Sequence, residues 1–531
     1  MTTVETARAT HEVTNQPPPL EPANLFEIDA ALREGIEREG GGWGADRVRE
    51  LGGLAGSAEA RQHAWRAERN EPRLRTHDRY GHRVDDVELD PSWHWLLGTA
   101  VAHEVHSLAW RVERPGAHVV NSALKFVWSQ VDGGVMCPVS MTFSVVPALR
   151  AAAPELAAQW EPRLTLPDYE RGARAGMAMT EKQGGSDVRA NTTRAEPVGD
   201  GTYEITGHKW FCSYPVADVF LVLAQAPGGL SCFLVERGPG LELQQLKDKL
   251  GTRSLPTAEA ELRAARGRLV GAEGRGVPAI MQMVNHTRLD CLIGSAAGMR
   301  RGVTEAIHHA RHRTAFGAPL AEQPAMRNVL ADLALEAEAA TAAALRVARA
   351  YDEGDGPFRR LATAVMKYWV TKRGPAHAAE ALECLGGNGT VEDSGMPLLF
   401  RDSPINSTWE GSGNVAALDV LRAMVKDPDA LPAFLDECRL AAGGDARLDA
   451  HLDALDGTLA DLRAGGDAQF GARRVVEDLA VALQASLLVR HAPAAVGDAF
   501  CAARLGGGGR VYGTLPAGVD AAAIVDRALA S

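Results

Sequence analysis

The sequence predicts an α+β protein in which a helical region, a β domain and two more helical regions follow one another. Apolar residues recur every three or four positions along most of the chain, but between about 171 and 275 they form short runs bounded by turn residues. A chain of 531 residues is too long to fold around one hydrophobic core, so several domains are expected. We therefore expect five segments: a disordered tail (1–22), an N-terminal helical domain (23–170), a β domain (171–275), a helical bundle (276–426) and a C-terminal helical extension (427–531).

The first 22 residues are polar and end beside three consecutive prolines, 17–19. They hold too few apolar side chains to offset the entropy of ordering, so we expect a disordered tail. The chain shows no apolar signal-peptide core and no uncharged apolar run of 18 residues. We therefore expect a cytoplasmic protein that does not insert in a membrane.

The N-terminal domain is predicted to be helical because segments such as 93–110 and 123–128 carry apolar residues at helical spacing. The β domain is predicted from the Asp200-Gly201 pair, a strong hairpin signal, and from the apolar runs 219–223 and 230–235. Helical patterns then return, and the final hundred residues are rich in Ala and Leu. The long patterns cover three ranges: 281–312, 323–352 and 358–384.

Composition excludes several classes of protein. With 46% hydrophobic and 23% charged residues the chain is not wholly disordered, collagenous or a coiled coil. Its formal net charge of −12 gives no overall attraction to nucleic acid or to an anionic membrane. Seven widely spaced cysteines without a CxxC pair predict neither a disulfide framework nor a zinc ribbon.

Common ligand motifs are also missing. The chain contains no GxGxxG and no GxxxxGK[ST], so a nucleotide must be held in another way. His103 and His106 lack the i, i+4 spacing of a zincin, and His308 and His312 have that spacing but lie among three arginines, Arg301, Arg311 and Arg313. We predict no metal site.

Three segments are unusual for plain packing. Residues 179–187 (MTEKQGGSD) place two glycines beside hydroxyl groups at the start of the β domain, where backbone N–H groups can approach a ligand closely. Residues 383–389 (ECLGGNG) end a helix with more glycines than one cap needs. Residues 409–414 (WEGSGN) set Glu410 beside an indole, where desolvation would raise the pKa of its carboxyl toward that of a general base. Each segment alone also fits an ordinary turn or helix start.

Taken together, these segments resemble the acyl-CoA dehydrogenase family. The resemblance also rests on residues 207–213 (GHKWFCS), 246–251 (LKDKLG) and 313–317 (RTAFG) and on Gln323, and it runs from about residue 24 past 425. The Lys182-Gln183 pair, Trp409 and the C-terminal extension are similar to the AidB branch of the family. The resemblance implies a helical N-terminal domain, a central β-barrel, a four-helix bundle, FAD as cofactor and a homotetramer.

The resemblance also implies residue roles. Glu410 is the catalytic base that acts on an acyl-CoA. Thr180 and Ser213 bind the isoalloxazine ring, Phe211 covers it, and Ser186 lies near phosphate or substrate. Six residues bind the FAD of a neighbouring subunit: Arg313, Phe316, Gln323, Glu383, Gly386 and Gly387. The remaining cofactor-binding residues are Met179, Gly185, Ser412 and Asn414.

Two other functions stay open at this point, as do the acyl chain and the electron acceptor. The AidB branch is associated with DNA in the response to alkylation, so the chain could be a DNA-associated flavoprotein with little turnover. Its last 105 residues hold nine arginines, no lysine and fifteen acidic residues, a net charge of −6, which predicts weak DNA binding at most. Arg473, Arg474, Arg504 and Arg510 could still form a local patch. The third function is a flavin-bound assembly without turnover.

Overall fold

The computed structural model describes residues 10–354, 356–463 and 467–529. Its N-terminal domain is mainly helical. Side chains that precede three of the helices cap them, since Asp29, Ser57 and Asp90 accept hydrogen bonds from backbone N–H groups two or three residues ahead. The helices are α1 (Ala30–Arg38), α2 (Ala45–Ala55), α3 (Ala58–Arg69), α4 (Pro91–Ala102), α5 (Leu108–Arg111), α6 (Ala117–Ser129), α7 (Met136–Ala152) and α8 (Pro154–Leu164).

A two-stranded hairpin interrupts these helices, although the whole region is predicted to be helical. Strands β1 (Arg73–His77) and β2 (Arg83–Glu88) pair antiparallel. The hairpin is largely exposed, so its sequence carries charged cross-strand partners such as Arg75 and Asp86, 2.8 Å apart, instead of an alternating apolar pattern. Without that alternation the sequence holds no strand signal.

The middle domain is a sheet of seven strands. Strand β6 pairs with both β4 and β7, and the pairings β4–β5, β5–β9 and β9–β7 complete a closed circuit, while β3 and β8 pair with β6 and β9. The predicted hairpin is present between β4 and β5, where Asp200 and Gly201 both adopt positive φ. The strands are β3 (Ala175–Ala178), β4 (Arg194–Gly199), β5 (Thr202–Ser213), β6 (Val219–Ala226), β7 (Gly229–Glu236), β8 (Leu241–Leu246) and β9 (Thr257–Val270).

Three long helices form the centre of the third region, and they match the predicted helical ranges within a few residues. Helices α9 (Gly276–His312), α10 (Pro324–Asp352) and α11 (Gly356–Glu383) pack on one another. Short strands β10 (Thr314–Ala315) and β11 (Ala318–Pro319) form a hairpin after α9. Helix α12 (Met396–Asp402) leads to α13 (Gly413–Lys426), which packs on α11.

The C-terminal extension packs on this bundle. Helix α16 contacts α10, α11 and α13, and α18 contacts α10. Buried ion pairs join the two parts, because Arg504 lies 2.5 Å from Asp332 and 3.0 Å from Glu336. Among the described residues, no helix is long and apolar enough to cross a membrane. The helices are α14 (Ala430–Arg439), α15 (Ala446–Arg463), α16 (Ala468–His491), α17 (Ala494–Arg504) and α18 (Ala521–Ala528).

Part of the predicted tail contacts the folded chain. Asn15 exchanges hydrogen bonds with the backbone of Thr314, and the carbonyl of Pro18 lies 2.8 Å from His308. Glu21 forms an ion pair with Arg61. These polar contacts give residues 15–21 defined positions that their low hydrophobicity does not predict. Residues 1–9 of the predicted tail lie outside the described residues.

Candidate active site

Glu410 lies in the turn between α12 and α13 and has an uncommon backbone conformation. Its φ is +56°, and Gly411 follows at φ +100°. A left-handed conformation costs a residue with a side chain on the order of 1–3 kcal/mol and persists only where surrounding contacts hold it. We call the segment Trp409–Gly411 the Glu410 turn.

Two buried cations hold the carbonyl groups of this turn. Lys367 Nζ donates to the carbonyl oxygens of Trp409, at 2.9 Å, and of Gly411, at 2.6 Å. Arg288 Nε donates to the carbonyl oxygen of Glu410 at 3.0 Å, and its Nη1 lies 2.7 Å from Asp419. All three carbonyl groups of the Glu410 turn therefore accept hydrogen bonds from helices α9 and α11, which stabilise the left-handed conformation.

The carboxyl group of Glu410 is poorly hydrated. The residue as a whole is half-buried, but its Oε2 atom is shut off from solvent and has no hydrogen-bond partner within the described ranges. Burial raises the pKa of Glu410 above its ordinary value, while Thr287, Lys367 and Arg288 act in the opposite direction. A buried carboxyl with a raised pKa and a free oxygen is suited to accept a proton from a bound molecule.

Ser213 and Glu410 both interact with Cys137. The Cys137 thiol interacts with Ser213 and with the charges of Glu410 and Lys249. Ser213 Oγ is 3.2 Å from Thr257 Oγ1, which in turn lies 3.2 Å from Lys249 Nζ. Burial lowers the pKa of Lys249 to about 8. The fold thus brings a predicted flavin-binding hydroxyl close to the predicted base.

The loop of residues 179–186 lies beside strand β5. The backbone N–H of Trp210 donates to the carbonyl of Thr180 at 2.8 Å, and Asn191 donates to the carbonyl of Met179 at 2.9 Å. A Cβ atom on Gly185 would lie 2.4 Å from the Thr180 hydroxyl oxygen, so this close approach requires glycine. Ser186 and Phe211 are exposed at this surface, where Phe211 is 46% exposed.

The second predicted cofactor group lies at the far end of α9. Arg313 donates to the carbonyl of Asn15 at 2.6 Å, and the neighbouring Gln16 accepts a hydrogen bond from Asn388. The 313–317 turn and the 386–388 turn are therefore close together. The six residues of this group, Arg313, Phe316, Gln323, Glu383, Gly386 and Gly387, are half-buried or exposed.

Helix α9 separates the two groups. From Arg288, beside Glu410, to the end of the helix at His312 the chain advances roughly 36 Å at 1.5 Å per residue. Within one chain the structure therefore places Ser213 near Glu410, through Cys137, and the second group at a distance.

Ser412 and Asn414 lie at the start of α13, beside the Glu410 turn. Ser412 is exposed, and Asn414 Oδ1 accepts a hydrogen bond from Arg473 Nε at 2.9 Å. Arg473 belongs to α16, so the C-terminal extension contacts the segment that carries the predicted base. A role for either residue in cofactor binding stays a prediction.

The sequence reasoning missed Thr287, Arg288, Lys367 and Asp419, which surround the Glu410 turn. The available signal was a charged residue inside an apolar helical stretch, such as Lys367 between Met366 and Tyr368. That signal marks a buried charge but does not identify its partner, because the turn lies about forty residues further along the chain.

Family comparisons agree with this arrangement of domains. Residues 15–171 match the adaptive response protein AidB N-terminal domain, residues 176–265 the acyl-CoA dehydrogenase middle domain and residues 274–425 the acyl-CoA dehydrogenase C-terminal domain. The chain is 45% identical to AidB of Escherichia coli (strain K12) over 437 residues, which cover 78% of this chain and 81% of that protein. It is 34% identical to acyl-CoA dehydrogenase family member 11 of Caenorhabditis elegans, over 69% of this chain and 65% of that one.

Solved structures show the same fold. Caenorhabditis elegans ACDH-11 in complex with C11-CoA superposes with a TM-score of 0.87 and 28% identity, over 94% of this chain and 95% of that one. Butyryl-CoA dehydrogenase of Megasphaera elsdenii shares the fold over 72% of this chain and 98% of its own, with a TM-score of 0.61 and 22% identity. Since three family domains follow one another from residue 15 to 425 and AidB matches over four fifths of its length, the chain belongs to the acyl-CoA dehydrogenase family, in its AidB-like branch.

Proposed function

We propose that this FAD-binding member of the acyl-CoA dehydrogenase family oxidises an acyl-CoA thioester between Cα and Cβ, with Glu410 as the base. The observation that carries the proposal is the Glu410 carboxyl itself. Its Oε2 is removed from solvent, lacks a partner among the described residues and belongs to a group whose pKa burial raises. Such a carboxylate is ready to accept a proton in a dry site.

The reaction balances with one base and one flavin. Glu410 removes the α-proton, which the thioester carbonyl acidifies, and the electron pair of that C–H bond becomes the second bond between Cα and Cβ. FAD, when bound, supplies the acceptor for the hydride that leaves Cβ. The Glu410 turn keeps the carboxyl in place, because its three carbonyl groups are hydrogen-bonded to Lys367 and Arg288.

The chain's own surfaces fit FAD in two places. Around Ser213 and Thr180 it offers hydroxyl groups and the exposed ring of Phe211. At the far end of α9, Gly386 and Gly387 leave open space where a side chain would lie, and Arg313 suits a diphosphate. Phe316 there is 99% exposed at φ +53°, an exposed aromatic in a strained turn.

We infer that the second group binds the cofactor of a neighbouring subunit in a homotetramer. The length of α9 separates the two groups by roughly 36 Å, so one chain does not bring both to the same flavin. The cofactor of a neighbouring subunit would cover the exposed ring of Phe316 and the open surface at Gly386 and Gly387.

Two departures from the family pattern, Trp409 and Lys182, bear on the class of acyl group. Trp409 is bulkier than the Tyr common in the family at this position, and Lys182 replaces a common Pro. Both alter segments beside the acyl and flavin pockets, which favours a substrate other than a common straight fatty acyl-CoA. A complex of the similar ACDH-11 with C11-CoA supports a thioester of coenzyme A as the substrate class.

The DNA-associated alternative has little support from side-chain positions. Arg504 is committed to Asp332 and Glu336, and Arg474 lies 3.0 Å from Asp478. Arg473 donates to Asn414. These three arginines therefore bind different partners. Arg504, which is neutralised by two acidic residues, is not available for a basic patch that binds DNA.

An anaerobic titration tests the proposal. Purified holoenzyme is mixed with acyl-CoA thioesters of graded length and branching, and flavin absorbance near 450 nm is followed. At least one thioester should bleach the wild-type flavin, while Glu410→Gln should retain FAD and bleach at least a hundredfold more slowly, because the amide cannot accept the proton. Glu50→Gln, an exposed carboxyl in α2, is the matched control. Equal bleaching of wild type and Glu410→Gln would exclude Glu410 as the base.

A further inference from the structure

Lys367 has an unusual environment for a lysine. It lies in the middle of α11 and is 1% exposed. Within the part of the chain that the structure describes, it forms no ion pair, and its ammonium donates only to the carbonyl oxygens of Trp409 and Gly411. A buried charge without an ion-pair partner is expensive, since its hydration is lost and only dipoles replace it.

The two carbonyl groups that Lys367 binds lie on either side of Glu410. The ammonium therefore bridges the ends of the Glu410 turn, whose central residue has the costly left-handed conformation. A leucine or methionine would fill the same space in the helix at less cost, but it would leave two carbonyl groups of the turn without these donors. Packing alone does not account for a lysine at this position.

We propose that Lys367 is a positioning residue for Glu410, which holds the Glu410 turn through two hydrogen bonds and places a positive charge near the carboxyl group. This inference rests on the proposed role of Glu410 as the base. Lys367 thus contributes to the reaction by holding the base in place, since its own hydrogen bonds go to backbone carbonyl groups.

Other charges also face this site. The Glu410 carboxyl interacts with Arg288 and Asp290 on α9, with Cys291 on the same helix and with Cys137 on α7. Arg288 is neutralised in part by its ion pair with Asp419, at 2.7 Å. Asp290 pairs with Lys125 at 2.8 Å. Lys372, on the same helix as Lys367, lies beside Gly413 and also acts on the pKa of Lys367. Lys367 itself has no carboxylate at ion-pair distance within the described ranges, and it is the lysine that binds the carbonyl groups of the Glu410 turn.

Electrostatics gives the direction in which Lys367 changes the pKa of Glu410. A neighbouring cation favours the charged form of a carboxyl and lowers its pKa, and here it acts against the larger effect of burial. Without Lys367, Glu410 would hold its proton to higher pH. A protonated Glu410 cannot take the α-proton of a substrate.

Two variants separate charge from hydrogen bonding. Lys367→Met removes both the charge and the donors, whereas Lys367→Gln removes the charge and keeps an amide donor. Lys426→Met, which changes an exposed lysine at the far end of α13, is the control. Infrared difference spectra of the holoenzyme across pH, referenced to Glu410→Gln, report the protonation of Glu410 without any substrate.

We expect the Glu410 titration to move to higher pH by about one unit or more in both Lys367 variants and to stay in place in Lys426→Met. Hydrogen–deuterium exchange of a peptide spanning 405–415 should accelerate more in Lys367→Met than in Lys367→Gln. Where an acyl-CoA bleaches the flavin, the pH profile of the bleaching rate should move with the infrared titration.

An unchanged Glu410 titration together with unchanged exchange of the 405–415 peptide would overturn the proposal. If Lys367→Met does not fold, Lys367→Gln alone decides the charge effect. Failure of the proposed function looks different: no acyl-CoA would bleach the wild-type flavin, yet the infrared titration would still show whether Lys367 controls Glu410.

Discussion

Lys209 and Glu181 form an ion pair of 3.0 Å in which the two side chains are 1% and 0% exposed. Lys209 also donates to the carbonyl of Leu223 at 2.7 Å, and Glu181 accepts from the backbone N–H groups of Thr192 and Thr193. Burial raises the pKa of Glu181, but these N–H donors and Lys209 outweigh it and lower the pKa to about 2. The pair joins the 179–186 loop to strands β5 and β6.

Lys209→Met should therefore destabilise the protein and loosen the 179–186 loop. Removing one partner leaves Glu181 charged and buried, which costs about 3–5 kcal/mol of unfolding free energy. Urea unfolding measures that loss, and the ratio of absorbance at 450 and 280 nm measures FAD content, which should fall. Exposed Lys426→Met is the control. An unchanged urea midpoint in Lys209→Met would contradict the prediction, and adding Glu181→Gln should recover part of the stability.

Glu68 and Asp402 should make stability fall as pH rises. Burial raises the pKa of Glu68 to about 8, helped by the charges of Asp402 and Asp132, and burial raises the pKa of Asp402 to about 7. The folded protein thus holds these protons more tightly than the unfolded chain, where carboxyls titrate near 4. The stability this provides is complete below pH 4 and is lost as pH rises to about 8.

Glu68→Gln should remove this dependence in part. Its free energy of unfolding should exceed that of wild type by about 1 kcal/mol or more at pH 8.5 and show no gain at pH 4.5. Thermal or urea unfolding at the two pH values measures the difference. Glu59→Gln, which changes an exposed residue on the same helix, should leave the free energy of unfolding unchanged at both pH values. A gain of equal size at both pH values would mean that burial of the Glu68 charge is not the cause.

Arg313→Ala should reduce FAD content and leave the fold of each chain intact, because Arg313 is proposed to bind a neighbour's diphosphate. Light scattering gives the oligomeric state and absorbance at 450 nm gives the FAD per chain. Arg439→Ala, which changes an exposed arginine of α14 that pairs with Asp456, is the control. Dilution that separates the subunits should release the flavin. A stable monomer that keeps one FAD per chain would contradict the proposed assembly.

DNA binding should be weak and independent of sequence. The C-terminal extension carries a net charge of −6, and Arg504 is committed to buried acids. Few phosphate contacts remain, each contributing about −0.9 to the slope of log K against log salt, so the slope should be shallow and the Kd roughly 10⁻⁴ to 10⁻⁶ M at physiological salt. A salt titration with a labelled duplex tests this. Nanomolar binding that is lost when Arg473 and Arg474 are both changed to Ala would show a dedicated DNA site.

The order of helical and β regions was predictable from the sequence because periodicity and turn chemistry act locally. The helical pattern from 323 to 352 matches α10, Pro324–Asp352, and the Asp200-Gly201 pair forms the turn of the predicted hairpin. The family's motifs also predicted Glu410 as the base, which stays a prediction; the structure places this residue in a turn with positive φ and removes its Oε2 from solvent. Local patterns failed at the β1–β2 hairpin, which is exposed and carries no apolar alternation.

Only the tertiary structure decided how the site is held. Lys367 and Arg288 reach the Glu410 turn from two helices. The hydrogen bonds of Lys367 to Trp409 and Gly411 span 42 and 44 residues of sequence, and that of Arg288 to Glu410 spans 122. Long-range packing also sets the pKa of Glu410 and forms the ion pair between Arg504 and Asp332. It places the two cofactor groups at opposite ends of α9. Periodicity shows which face of a helix is buried, but desolvation and ion pairing depend on what the rest of the chain brings against that face.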